Sequence, residues 1–205
     1  VADNDVAGVT VTESDGDTAV TEGGATDTYT LVLTSDPEAD VTISITPDAQ
    51  TTVNPASVTF TDANWNNPQT ITVTAVDDAV VEGPHNSAIT HAASSADSHY
   101  DGLAVASVTA SITDNDDAGI TLVQSGGSTA VTEGGATDTY TLVLTSEPVA
   151  DVTITITPDA QTTVNPASVT FTSANWNTVR TVTVTAVDDA VAEGVHSSTM
   201  THSVS

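Results

Sequence analysis

The chain has no cysteine and no lysine, and Arg180 is its only strong cation. Without Cys there can be no disulfide, no thiolate metal site and no thiol catalysis. Without Lys there can be no lysine-derived cross-link. Against that single Arg stand 28 acidic residues, giving a formal net charge of −27 over 205 residues. Phosphate backbones and anionic lipid surfaces would repel such a chain, which excludes nucleic acid and anionic membrane as partners. Salt bridges cannot organise the fold, so the carboxylates must be solvated, screened by salt, or bound to metal cations. Aromatic residues are scarce at 3 %, and no apolar run approaches the roughly 20 residues of a membrane span. No signal peptide is visible at Val1-Ala2-Asp3. What remains is a chain 38 % hydrophobic and rich in Val and Thr, which favours strands around an aliphatic core.

The sequence repeats itself at an offset of 111: Asp3 recurs as Asp114, Glu22 as Glu133, Trp65 as Trp176 and Asp77 as Asp188. Residues 1–94 align with 112–205 without a gap, and 70 of the 94 pairs are identical. A period of this size is a domain. Two full periods would need 222 residues, so the second copy lacks the counterpart of Ser95–Ser111. The expected organisation is a linker from a preceding repeat over 1–7, a complete repeat over 8–117, and a second repeat over 118–205 without its last strand. The chain reads as a window from a longer tandem array.

Within a repeat the hydrophobic period is two. Tyr29, Leu31 and Leu33 alternate with threonines. So do Val41, Ile43 and Ile45, then Val58 and Phe60, then Ile71, Val73 and Ala75. Gly23-Gly24, Asp36-Pro37, Pro47-Asp48, Asn54-Pro55 and Gly83-Pro84 punctuate these runs. About seven short strands per repeat, the last over 103–113, predict an all-β chain of tandem immunoglobulin-like Greek-key β-sandwiches. The second repeat should then present an unpaired sheet edge, a template for strand addition.

The acids concentrate at strand ends. One cluster is Glu22 in Val-Thr-Glu-Gly-Gly. Another is Asp77, Asp78 and Glu82, and a third is Asp114, Asp116 and Asp117. If those ends meet at one tip, carboxylates converge there. Two of them about 4 Å apart repel by roughly 4 kcal/mol at an effective dielectric of 20. Hard cations remove that cost, and Ca²⁺ accepts 6–8 oxygen ligands. Asp27, Asp36, Glu38 and Asp48 fall outside the clusters and read as scattered solvation charge.

The ordered motifs Val-x-Glu-Gly-Gly, Thr-Tyr-Thr-Leu-x-Leu-Thr-Ser, Val-Thr-Phe-Thr-x-x-Asn-Trp, Val-Asp-Asp-x-x-x-Glu-Gly and Asp-Asn-Asp-x-Ala-Gly resemble those of Calx-β domains. Such domains occur in sodium–calcium exchangers and in arrays of large bacterial surface proteins. The resemblance implies a seven-stranded sandwich with calcium ligands at its distal tip. It implies Glu22, Asp77, Asp78, Glu82, Asp114, Asn115, Asp116 and the adjoining Asp117 as ligands in the first repeat. In the second it implies Glu133, Asp188, Asp189 and Glu193. Asp3, Asn4 and Asp5 match the terminal triplet of a preceding domain. The chain departs from the exchanger pattern at Thr52-Val53-Asn54-Pro55, which carries no acid, so one or two ions per complete tip are expected.

Other features read more simply. Asp77-Asp78 could mimic a glycosidase pair, but adjacent strand residues point to opposite faces, which suits chelation better. No catalytic residue is assigned. The recurring pairs His85/His91 and His196/His202 are too far apart along a strand, about 20 Å, to share one zinc ion. They read as histidines packed at the sheet rim. Trp65 and Trp176 read as core or corner residues. The loop 94–102, with His99, Tyr100 and Asp101, reads as a distinctive surface segment. The function implied is a Ca²⁺-binding, Ca²⁺-stiffened structural repeat of an extracellular adhesin stalk or surface filament, not an enzyme. Its partners would be neighbouring repeats and other copies in a filament. The alternatives are a filament subunit assembled by strand complementation and a carbohydrate- or protein-binding module.

Overall fold

The computed structural model describes residues 4–205. Asp3 of the first acidic triplet lies outside them, and Asn4 and Asp5 are exposed. The chain divides into two compact units. The first runs to Asp78 and resumes over Glu82–Asn115; the second comprises Ala79–Val81 and Asp116–Ser205.

The first unit is a β-sandwich. One sheet carries β1 (Val9–Glu13), β3 (Asp27–Leu33), β7 (Gln69–Ala75) and β5 (Thr51–Asn54), in the order β1-β3-β7-β5. The other carries β2 (Thr18–Thr21), β9 (Val108–Thr113), β8 (His85–Ser95), β4 (Val41–Pro47) and β6 (Ser57–Phe60), in the order β2-β9-β8-β4-β6. Neighbours are antiparallel except β2 and β9, which run parallel. Two strands are each broken in two, and the halves pair in different sheets. A 3-10 turn over Ser14–Gly16 separates β1 from β2; it turns on Asp15 at φ 53° and Gly16 at φ 96°. The bend after Asn54 separates β5 from β6 in the same way. Counted as single broken strands, they bring the total to the seven expected.

Alternation explains the layers. Tyr29, Leu31 and Leu33 face inward from β3, Ile71, Val73 and Ala75 from β7, and Val41, Ile43 and Ile45 from β4. Val108, Ala110 and Ile112 complete the core from β9, while the intervening threonines and serines are more exposed. Each fully buried aliphatic side chain stabilises the sandwich by about 1.5–3 kcal/mol relative to exposure.

Two expectations change. The loop 94–102 is not a free surface segment. Tyr100 is fully buried, and its hydroxyl donates to the Ser35 carbonyl at 2.7 Å while accepting from Ser35 N at 3.2 Å. Asp97 is buried too and accepts from the backbone N–H groups of Glu38 and His99, each at 2.9 Å. Nor are Asp27 and Asp48 mere solvation charge. Asp27 accepts from the Ser14 hydroxyl, from Ala19 N at 2.8 Å and from Thr28 N at 2.6 Å. It thereby laces β3 to the turn between β1 and β2. Asp48 accepts from the Ser87 hydroxyl at 2.6 Å and Ala88 N at 2.8 Å, tying the end of β4 to β8. Asp138 and Asp159 repeat both arrangements in the second unit. The sequence hides this because a carboxylate that accepts backbone N–H groups looks like any surface acid until its partners are folded around it.

The second unit has β10 (Ile120–Gln124), β11 (Asp138–Leu144), β15 (Arg180–Ala186) and β13 (Thr162–Asn165) in one sheet. The other holds β14 (Ser168–Phe171), β12 (Val152–Pro158) and β16 (Met200–Val204). Thr129–Thr132, which correspond to β2, form no strand. In the first unit β2 is held by β9, and the counterpart of β9 is not among the 205 residues. The core of this unit numbers nine buried hydrophobic residues against eighteen in the first, among the described residues.

Candidate metal centre

Topology gathers the acids of the first unit at one end. Because β2 runs parallel to β9, both strands finish side by side: Thr21 pairs with Thr113, and Glu22 N donates to the Thr113 carbonyl at 3.1 Å. Glu22 and Asp114 therefore follow immediately from paired strand ends. Because β8 is antiparallel to β9, its first residue, His85, pairs with Ile112 at the same end. The connection from β7 to β8 carries Asp77, Asp78 and Glu82.

Each acid is fixed differently. Asp114 Oδ2 accepts from the backbone N–H groups of Glu82 and Gly83, both at 2.7 Å. This clasps the β7–β8 connection to the end of β9. Asn115 Nδ2 donates to the Glu22 carbonyl and to Asp77 Oδ1, both at 3.0 Å. The Glu82 carboxylate accepts from the Gln50 side-chain amide at 3.0 Å through both oxygens. Gly23 makes the turn after Glu22 at φ 59°. A Cβ there would lie 3.0 Å from Asn115 Nδ2 and 3.1 Å from Asp77 Oδ1, which explains the glycine after the glutamate.

Glu22 is the centre of this tip. It is 3 % exposed, and its Oε2 has no hydrogen-bond partner among the described residues. Burial raises its pKa above the ordinary carboxylate value; Asp114 and Asp78 add to the rise, and His85 opposes it. A buried oxygen of this kind costs about 1–3 kcal/mol unless something satisfies it. Glu22, Glu82 and His85 can each bring one ligand atom within 4.8 Å of the others.

The second unit repeats part of this. Glu133, Glu193 and His196 come together within the same limit, with Glu133 half-buried and the other two exposed. Asp188 lies beside Gly134, 3.5 Å from where a Cβ would stand. Asp189 Oδ1 turns back to accept from Val191 N at 2.7 Å. Counterparts of Asp114 and Asn115 are not in the sequence. Asp116 and Asp117 belong to the second unit. The carbonyl of Asp117 accepts from the Thr145 hydroxyl at 2.6 Å.

Sequence reasoning missed one participant. The sequence pattern reads His85 with His91 as a rim histidine, yet the fold brings it to Glu22 and Glu82. The available signal was the recurrence of Glu82-x-x-His85 as Glu193-x-x-His196 beside the acidic loop. His91 stays apart from the acids. Its Nδ1 donates to the Ala106 carbonyl at 2.7 Å and its Nε2 accepts from the Tyr29 hydroxyl at 2.9 Å. Burial lowers its pKa. Trp65 is half-buried against the core, and its carbonyl accepts from Leu33 N at 3.1 Å.

No family model matches the chain, and no curated protein matches it. Solved structures do. CBD12 from CALX1.2 aligns at 14 % identity, over 88 % of this chain and 76 % of that one, with a TM-score of 0.39. The calcium binding domain CBD12 of CALX1.1 gives 15 %, the same coverages and 0.37. The Escherichia coli chaperone DraB gives 8 %, over 91 % and 89 % of the two chains, with 0.36.

Proposed function

We propose that this chain is a calcium-binding structural repeat of an extracellular surface stalk or filament, and not an enzyme. The observation that carries the reading is the buried Oε2 of Glu22, without a hydrogen-bond partner among the described residues, in a tip where Asp114, Asp78 and Glu82 add negative charge. Oxygen donors from three separate strand ends suit the irregular coordination of Ca²⁺ better than any neutral role. Glu22, Asp77, Asp78 and Asp114 would hold the ion in the first unit. In the second, Glu133 and Asp188 would supply a weaker site. The recurrence of the same motifs through both copies favours a structural duty over a recognition one, because a recognition surface has no need to repeat.

The mechanism is linkage. An ion that binds only the folded tip stabilises it by RT ln(1 + [L]/Kd), about 2.7 kcal/mol at one hundred times Kd. Extracellular modules bind Ca²⁺ at roughly 10⁻⁴–10⁻³ M. Removing Ca²⁺ therefore releases the carboxylate repulsion and loosens the β7–β8 connection. Thermal unfolding followed at millimolar Ca²⁺ and in EDTA checks this. The first unit should melt several degrees higher with Ca²⁺, and an unchanged transition would remove the proposal.

A further inference from the structure

We propose that each tip also holds a second cation site, built on an imidazole, that takes a borderline divalent metal such as Zn²⁺ in preference to Ca²⁺. Its ligands are Glu22, Glu82 and His85 in the first unit, and Glu133, Glu193 and His196 in the second. It shares one carboxylate per unit with the calcium reading, Glu22 in the first and Glu133 in the second, but does not depend on it.

Three observations carry the assignment. His85 Nδ1 lies 2.9 Å from the Gly83 carbonyl. A carbonyl cannot donate, so the proton sits on Nδ1. Nε2 is the atom turned to the acids: it is buried, lies 3.4 Å from Glu82 Oε2, and makes no hydrogen bond among the described residues. An imidazole anchored through one nitrogen on a backbone carbonyl, with the other nitrogen presented to carboxylates, has the arrangement of a metal-ligating histidine. Next, Glu22 Oε2 is buried beside it and has no hydrogen-bond partner among the described residues, so two ligand atoms face the same place. Last, the second unit reproduces the arrangement with its own residues. His196 Nδ1 is 2.9 Å from the Gly194 carbonyl, and His196 Nε2 is 3.4 Å from Glu193 Oε2. Outer support repeats as well: Gln50 holds the Glu82 carboxylate, and Gln161 Nε2 donates to Glu193 Oε1 at 3.2 Å.

The chemistry selects the ion. Ca²⁺ takes oxygen ligands and gains little from a nitrogen, whereas imidazole suits zinc, copper and nickel. Two carboxylates and one imidazole leave coordination positions for water. The competing explanation is an ion pair between a protonated imidazole and Glu82, with no metal.

The test uses the whole chain in saturating Ca²⁺, titrated with Zn²⁺ and followed by calorimetry and by the histidine ring signals in NMR. Two Zn²⁺ should bind per chain. The His85 and His196 rings should shift while those of His91, His99 and His202 stay in place. The pair His85→Gln and His196→Gln should abolish this binding yet keep the Ca²⁺-dependent rise in melting temperature. Gln50→Leu with Gln161→Leu should weaken Zn²⁺ about tenfold. Unmoved His85 and His196 signals, or Zn²⁺ binding that survives the histidine substitutions, would overturn the proposal. A chain that binds Zn²⁺ this way but ignores Ca²⁺ would uphold it and sink the calcium reading instead.

Discussion

At the scale of single residues, position decides what a carboxylate does. Glu22 and Asp27 lie five residues apart on opposite sides of one turn, yet folding moves their pKa values in opposite directions. Burial, then Asp114 and Asp78, raises that of Glu22. The Ser14 hydroxyl, then the Ala19 N–H, lowers that of Asp27. The consequences for stability have opposite sign. For Glu22 the protonated form suits the fold, so its contribution is full below the unfolded carboxylate pKa and is lost as pH rises through the higher folded value. Glu22→Gln should thus raise the melting temperature at neutral pH without Ca²⁺ and erase the response to Ca²⁺. Calorimetry with and without the ion reads both effects, and a variant less stable in EDTA would contradict the assignment. For Asp27 the charged form suits the fold. Its stabilisation is present above the unfolded pKa, near 4, and disappears as pH falls through the depressed folded value. Asp27→Ala should cost about 1–2 kcal/mol at pH 7, after discounting for partial exposure, and should flatten the acid limb of the stability curve. Urea unfolding at pH 7 and pH 3 measures the difference. A cost equal at both values would mean that the carboxylate charge is irrelevant.

At the scale of elements, the tip is a product of strand direction. The parallel pairing of β2 with β9 sets Glu22 next to Thr113, and the antiparallel β8 returns His85 to the same level. Gly23 makes the turn that directly follows Glu22, at φ 59°. Gly23→Ala would force a Cβ into a left-handed turn and against Asn115 and Asp77. A non-glycine residue there costs about 1–2 kcal/mol. The prediction is a loss of that size in denaturant unfolding together with weaker Ca²⁺ affinity. Full affinity in the variant would show that the turn does not position Glu22. A similar logic explains Tyr100. Its hydroxyl on Ser35 closes the loop from β8 to β9 over the core, which is why residues that look like surface decoration are buried.

At the scale of the whole molecule, the two copies are 70 of 94 positions identical, yet they are not equally finished. The first unit has β9 and pairs β2 with it; the second has neither that pairing nor the inward-facing trio Val108, Ala110 and Ile112. Hydrogen exchange should therefore protect the Glu22 amide, which donates to the Thr113 carbonyl at the end of β9, well beyond its counterpart Glu133, by mass spectrometry or NMR at equal pH. Equal protection would show that the Glu133 amide finds a partner of its own in solution. The sequence by itself determined the local features of this protein. Period-two alternation marked the strands from Tyr29 to Leu33 and from Ile71 to Ala75, because a strand's two faces are written in adjacent residues. The offset of 111 exposed the two copies. The clustering of Glu22, Asp77, Asp78 and Asp114 at strand ends pointed to one tip. Only the tertiary structure decided which groups face each other across sequence distance. Asp48 finds Ser87, Tyr100 finds Ser35, and His85 turns to Glu22 and not to His91. Those partners sit dozens of residues apart, and their meeting depends on strand order and register, which no local pattern of side chains records.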